Sequence, residues 1–309
     1  MNNSFIRGLR GLMAAGMLLS VHVCMVAEAQ ERPLDVDTVV AECSLPADVA
    51  KALEGRLGDP VLPAMCDPSV ATHSTMIGVG AANVLDTYLS PYNYTGPEVR
   101  VIRETERMTK LCRGRVSNQI LIDVNASYLE NRSKTAHEWA GGIRYSMGWH
   151  YHFLPVGRLA LRGGLLASGY LGGVYNTRNG NNPAQAKADV MVDLSAIALY
   201  RLPVAHSEVV LRYQLNIPFL GVAFSPNYGQ SYYEIFSLGN YDRNVVFAFP
   251  GNMPSMRHLF TADVPIRHGK TILRVGYSGQ FNQASFNHLR YHSYSHNFMF
   301  GFVKRFKRL

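Results

Sequence analysis

The sequence predicts an all-β chain closed into a transmembrane antiparallel meander β-barrel of about twelve strands, with ten as the alternative, behind a cleaved signal peptide. Three observations carry that expectation: a long stretch of strict alternation, its recurrence along the chain, and an N-terminal export signal.

Residues 139–153 read Trp-Ala-Gly-Gly-Ile-Arg-Tyr-Ser-Met-Gly-Trp-His-Tyr-His-Phe. Successive side chains of a strand point to opposite faces. Trp139, Ile143, Tyr145, Met147, Trp149, Tyr151 and Phe153 therefore share one face, and Arg144, Ser146, His150 and His152 the other. The ten steps from Trp139 to Trp149 make roughly 33 Å of strand, which at a tilt of about 40–45° stands about 24 Å tall. That height matches the apolar band of an outer-membrane barrel with an aromatic girdle at each rim.

The alternation recurs. Ile120, Ile122, Val124, Ala126 and Tyr128 oppose Gln119, Asp123, Asn125 and Ser127. Over 190–202 the even residues are apolar and oppose Asp193, Ser195 and Arg201, with Met191, Ile197 and Leu199 as exceptions. Val209, Leu211, Tyr213, Leu215, Ile217 and Phe219 oppose Arg212, Gln214 and Asn216. Further on, Phe260, Ala262 and Val264 oppose Arg257 and Asp263, and Leu273, Val275 and Tyr277 oppose Arg274 and Ser278. The last segment places Phe298, Phe300, Phe302 and Phe306 on one face, a C-terminal aromatic strand of the kind read by the outer-membrane assembly machinery during insertion. Tight turns are expected at 154–157, 202–207 and 266–270, and longer polar loops at 176–183 and around 281–291. Short turns belong on the periplasmic side and long loops outside. Segment 221–255 either adds two strands, giving the preferred twelve, or forms one long outer loop, giving ten.

At the N-terminus, Arg7 and Arg10 precede an apolar stretch from Leu12 to Val26 and an Ala27-Glu28-Ala29 cleavage triplet, so residues 1–29 read as a signal peptide. Residues 30–70, punctuated by proline, read as a periplasmic extension or small plug, and 71–309 as the barrel. Beyond residue 30 no apolar run reaches about 18 residues, so spanning helices are excluded and only a closed barrel can cross the bilayer. The formal charge of +8 falls by one on cleavage. Dense basic runs are confined to the tail Lys304-Arg305-Phe306-Lys307-Arg308, which argues against nucleic acid as a partner. Of four cysteines, Cys43, Cys66 and Cys112 survive cleavage. Cys43 and Cys66 could pair in an oxidising periplasm, leaving Cys112 alone, or all three could remain thiols.

With the apolar face on lipid, Trp139, Trp149, Tyr151, Phe298, Phe300 and Phe302 form the lipid-facing girdle. The lumen then receives Asp123, Arg144, His150, His152, Arg162, Asp193, Arg201, Arg212, Arg257, Asp263 and Arg274. With Asp189 and Arg305 this makes seven arginines against four aspartates. Such a set either braces a small barrel through ion pairs or favours anionic solutes in a narrow pore, with loops and the N-terminal segment supplying the missing negative charge.

Asp86-Thr-Tyr-Leu-Ser-Pro-Tyr-Asn-Tyr-Thr-Gly96, Ser231-Tyr-Tyr-Glu-Ile-Phe-Ser-Leu-Gly-Asn240 and His292-Ser-Tyr-Ser-His-Asn-Phe298 give the chain its resemblance to a Bacteroidetes-type domain-of-unknown-function family of exported outer-membrane barrels, over roughly 72–306. The resemblance implies fold and location in the outer membrane of a Gram-negative cell, and no activity or functional residue. His288, His292, Ser293, Ser295, His296 and Asn297 invite comparison with outer-membrane phospholipases. Yet His292 and His296 fall on the face opposite Ser293 and Ser295, so no catalytic residue is assigned. His150 and His152 lack a third ligand, and no phosphate-binding loop or metal motif occurs, so no metal or cofactor is expected. Three classes of function follow: a structural or partner-binding barrel in contact with outer-membrane lipid and an envelope protein partner, a narrow channel for small anionic solutes, and a lipid hydrolase.

Overall fold

The computed structural model describes residues 70–307, apart from 154, 156, 181, 205–206 and 267–270. The expected signal peptide, the 30–70 segment and the Cys43–Cys66 pair lie outside the described residues.

Eleven strands follow in order: β1 (Val70–Asp86), β2 (Tyr94–Met108), β3 (Val116–Asn131), β4 (His137–His152), β5 (Leu159–Asn176), β6 (Ala184–Val204), β7 (Ser207–Phe224), β8 (Val245–Ala248), β9 (Ser255–Ile266), β10 (Thr271–Phe286) and β11 (Leu289–Lys307). Ten of them close a ring in sequence order. Each pairs antiparallel with its neighbour, β7 pairs with both β6 and β9, and β11 returns to β1 over the register Val70↔Lys307 to Asp86↔Tyr291. Closure leaves the ring without a free edge, which a bilayer requires because no water is present to satisfy edge amides.

The count of twelve is corrected to ten. Besides the first residue of β9, segment 221–255 contributes the end of β7, a short helix α1 (Tyr232–Phe236) and the four-residue β8, which pairs with the top of β7 from Gly221 to Phe224. Four residues at about 3.3 Å each reach roughly 13 Å, too short to cross. The expected loop around 281–291 is also corrected. There β10 and β11 meet through the two-residue turn Asn287-His288, whose φ values of 50° and 63° are those of a tight hairpin turn. Asparagine tolerates that conformation, and the side chain of Asn287 reaches across to the carbonyl of Arg243 at 3.0 Å.

The outward face is the apolar one. Ile77, Val79, Val99, Ile143, Leu171, Phe298 and Phe300 are exposed, while the alternate residues are buried or half-buried. Parity fails once. Between β6 and β7 the register shifts at Val192/Asp193, so Pro218 pairs with Asp193, Leu220 with Val192, and Phe219 is left over. This bulge exposes Phe219 and Leu220 side by side and turns Gly221 and Ala223 inward where Arg212, Gln214 and Asn216 had been.

Candidate functional site

The interior is a packed polar core. β2 supplies its centre, with Glu98, Arg100, Ile102 and Glu104 buried on one face. Arg100 Nη1 donates to both oxygens of Asp123 at 3.0 and 2.8 Å, and Arg100 Nη2 donates to Glu98 at 2.8 Å and to Ser295 at 3.0 Å. Glu98 also accepts from Ser127 and Asn297. A charge held this way keeps its hydrogen bonds and loses only water.

A second assembly bridges the lumen. Glu104 on β2 accepts from Arg212 on β7 at 2.6 Å and from Arg274 on β10 at 2.8 Å. In a ring of ten, β2 and β7 stand on opposite walls. Gln119 on β3 and Gln214 on β7 exchange two hydrogen bonds of 3.0 Å. Arg274 also forks onto Asp263 at 2.6 and 2.7 Å. Beside these pairs, Met76, Ile102, Leu121, Leu259 and Met299 form a buried apolar cluster contributed by five strands. The lumen at this level is crossed by side chains of both kinds.

Toward the outer end, Arg144 forks onto Asp189 at 2.8 and 2.9 Å and lies 4.8 Å from the centre of the Tyr170 ring. Tyr170 lies against the wall because Gly142 and Gly172, paired across β4 and β5, carry no side chain; a Cβ on either would sit 2.5 Å from its hydroxyl. Arg257 pairs with Asp193. Lys187 bonds Asp86 at 2.9 Å and sits 4.0 Å from the Tyr291 ring centre. Between these pairs remains a cavity of about 70 Å³, room for a few waters.

Most of the candidate lumen residues meet such partners. Asp123, Arg144, His150, Arg162, Asp193, Arg212, Arg257 and Arg274 are buried, while His152, Arg201 and Asp263 are half-buried. His150 and His152 go separate ways, to Ser195 and Ser117, each at 2.8 Å. The Ser195 hydroxyl donates to Asn216 at 2.6 Å, so His150 donates to Ser195 and is not its base. Arg162 pairs with Glu106. Among the described residues, Glu98, Glu104 and Glu106 of β2 supply negative charge that the alternation had not revealed, and the N-terminal donors expected beside them lie outside the described residues.

On the outward face, Trp139 is exposed, packed 4.8 Å from the Tyr128 ring, and Trp149 is half-buried. Tyr151, expected beside them on lipid, is buried instead: Phe153 packs edge-on at 5.3 Å and Arg115 donates to its hydroxyl at 3.3 Å. His292 takes part in a hydrogen bond with Asn83 at 3.0 Å, whereas Ser295 faces Arg100, so the strand separates histidine from serine as its parity requires. Cys112, in the 3-10 turn Leu111–Gly114, is disulfide-bonded, against the reading that left it alone, and its partner lies outside the described residues.

The 225–254 loop is tied to the neighbouring strand ends at the outer mouth. Asn244 donates to Gln230 at 2.7 Å, Gln230 donates to the carbonyl of Asn240 at 2.9 Å, and Ser231 and Glu234 form a capping box on α1. Tyr88, on the β1–β2 connection, donates to the carbonyl of Gln230 at 2.9 Å, and Tyr232 accepts from the Ala186 amide on β6 at 2.7 Å. Burial pushes the Tyr232 phenol up to about 12, partly offset by that amide. Although ordered by these bonds, the loop leaves Tyr228, Tyr233, Phe236, Leu238, Tyr241 and Val245 more than 60% exposed.

A closed ring with an apolar outer wall, aromatic rims and a polar interior defines an outer-membrane β-barrel. The chain belongs to the family described as "Protein of unknown function (DUF3316)", which matches residues 47–309. Among solved structures it is similar in fold to the outer membrane protease OmpT of Escherichia coli, with 8% identity and a TM-score of 0.50 over 78% of this chain and 98% of that one. Weaker likenesses are to the translocator domain of the autotransporter NalP from Neisseria meningitidis, with 12% identity, 87% and 98% coverage and a TM-score of 0.39, and to the toluene transporter TodX of Pseudomonas putida, with 9%, 82% and 94%, and 0.21. No curated protein matches the chain.

Proposed function

We propose that this barrel is a non-conducting platform, embedded in outer-membrane lipid after insertion by the assembly machinery, that presents its 225–254 loop to an envelope or surface protein. The observation that carries the reading is the combination within that loop: hydrogen bonds fix its backbone while Tyr233, Phe236 and Leu238 stay exposed. Aromatic residues held rigidly in the open resemble the anchors of a protein interface. The Glu104–Arg212 and Gln119–Gln214 bridges support a closed lumen. Counting Asp86, Glu98, Glu104, Glu106 and Glu138 against Arg100 and Lys187 removes the cationic excess that favoured an anion channel, and the separation of His292 from Ser295 removes the support for lipid hydrolysis.

Two measurements test the platform reading. Purified protein in planar bilayers is expected to stay silent across voltages; steady conductance overturns the closed lumen. A photo-crosslinker replacing Tyr233 in intact cells is expected to capture one discrete protein, with the signal lost in a Leu238→Asp variant. Capture indistinguishable from that of a crosslinker at lipid-facing Tyr145 would remove the loop from the function.

A further inference from the structure

On the outer wall, where β1 meets β11, a groove of about 520 Å³ is lined by His73, Ile77, Arg103, Phe300, Phe302 and Lys304. We infer that this groove holds an anionic phospholipid of the periplasmic leaflet, its phosphate against Arg103 and Lys304 and an acyl chain along Phe300, Phe302 and Ile77.

Position comes first. His73 lies three residues into β1, Lys304 three before the end of β11 and Arg103 five before the end of β2, all toward the end of the barrel that carries the short turns. On the lipid face a cation at mid-bilayer is costly, whereas near an interface it reaches the headgroups. Charge comes second. The buried arginines Arg100, Arg144, Arg162, Arg212, Arg257 and Arg274 each hold a carboxylate. Arg103 and Lys304 have no carboxylate partner among the described residues. None can come from alongside, because the outward positions of β1, β2 and β11 contain no Asp or Glu at all, while Arg107 adds a further exposed cation on the same face. Shape comes third. Phe300 and Phe302 pack edge-on at 5.6 Å and, with Ile77, form an exposed apolar wall toward the middle of the bilayer. A wall that is cationic at one end and aromatic along the rest matches a lipid with a charged head and an apolar tail. Arginine prefers phosphate because its guanidinium can fork onto two oxygens.

The test is native mass spectrometry of the full chain in mild detergent, titrated with phosphatidylglycerol or with phosphatidylcholine. One phosphatidylglycerol should be retained about tenfold more strongly than phosphatidylcholine, with the preference falling as salt rises. An Arg103→Gln/Lys304→Gln double variant should lose the preference while keeping the folded band on unheated gels, and Arg290→Gln, at the opposite end of β11, should keep it. Equal retention of the two lipids, or a preference unchanged by salt, overturns the site without recourse to any variant. So does a preference that survives the double substitution, or selective retention of lipopolysaccharide, which would put the occupant in the other leaflet.

Discussion

The lumen and the 225–254 loop break the usual rule of burial in opposite directions, and for different reasons. In the lumen, Glu98, Arg100, Glu104 and Arg212 are buried while Val99 and Tyr213 on the same strands' outer side are exposed. Lipid explains that inversion completely, since the wall's surroundings are hydrocarbon and its interior is the polar phase. The loop's Tyr228, Tyr233 and Phe236 are equally exposed, but they stand beyond the strands' outer ends. No hydrocarbon surrounds them, so a second molecule is the simplest account of their exposure. An exposed aromatic on a strand thus meets lipid, and on this loop it is the observation on which the proposed partner rests.

The comparison breaks most readily at Glu104. Replacing it with alanine leaves Arg212 and Arg274 facing each other with one carboxylate fewer, and should cost about 3–5 kcal/mol, measured by urea titration of the refolded protein in micelles. A cost under about 1 kcal/mol would mean the lumen holds water that screens the pair. Next comes Ile235→Ala in α1, where Ile235 is fully buried; a loss of about 2–4 kcal/mol should appear as faster protease cleavage within 225–254 and leave the barrel's own unfolding unchanged. Ser231→Ala, which removes the capping box, should loosen the same loop by about 1 kcal/mol. High pH gives a graded probe. Tyr232 is raised to about 12 from 10.0 by burial, so its contribution is complete below 10 and fades as pH rises through about 12. Tyrosinate absorbance and loop cleavage should rise together in that window, and loosening already complete below pH 9 would point to another group. The smallest effect is expected at Val99→Leu on the lipid face, within about 0.5 kcal/mol, because lipid accommodates the extra methylene that a packed core would not.

The faces of β3, β4, β6, β7 and β10 were legible because each keeps an apolar row against a polar one, as Ile120 and Ile122 do against Gln119 and Asp123. β2 was not legible. Its outward row contains Arg103 and Arg107 beside Val99 and Val101, and its inward row contains Ile102 beside Glu98 and Glu104, so charge and apolarity occur on both faces. With β2 went half of the candidate site, because its three glutamates are the acceptors for Arg100, Arg162, Arg212 and Arg274. The bulge at Phe219 was equally hidden, since two adjacent apolar residues give no sign of which one the ladder skips. Tyr151 was misplaced because parity states only which side of the wall a residue takes, and Arg115 and Phe153 cover it from a turn and a strand end that parity does not describe. Segment 221–255 holds enough apolar residues for strands; only the bonds of Asn244 and Gln230 reveal why the chain folds back there.

The pairing of Val70 with Lys307 gives the ring its last seam, between residues at opposite ends of the described chain. In a sheet still open at that seam, Glu104 and Arg212 would lie five strands apart, each free to keep its water. Joining the first strand to the last brings them within 2.6 Å, so completing the ring and drying its interior are one event. Assembly of this chain should therefore proceed without a long-lived half-dry intermediate, and its rate should follow the slow, long-range closure of the ends rather than the quick hairpins between them.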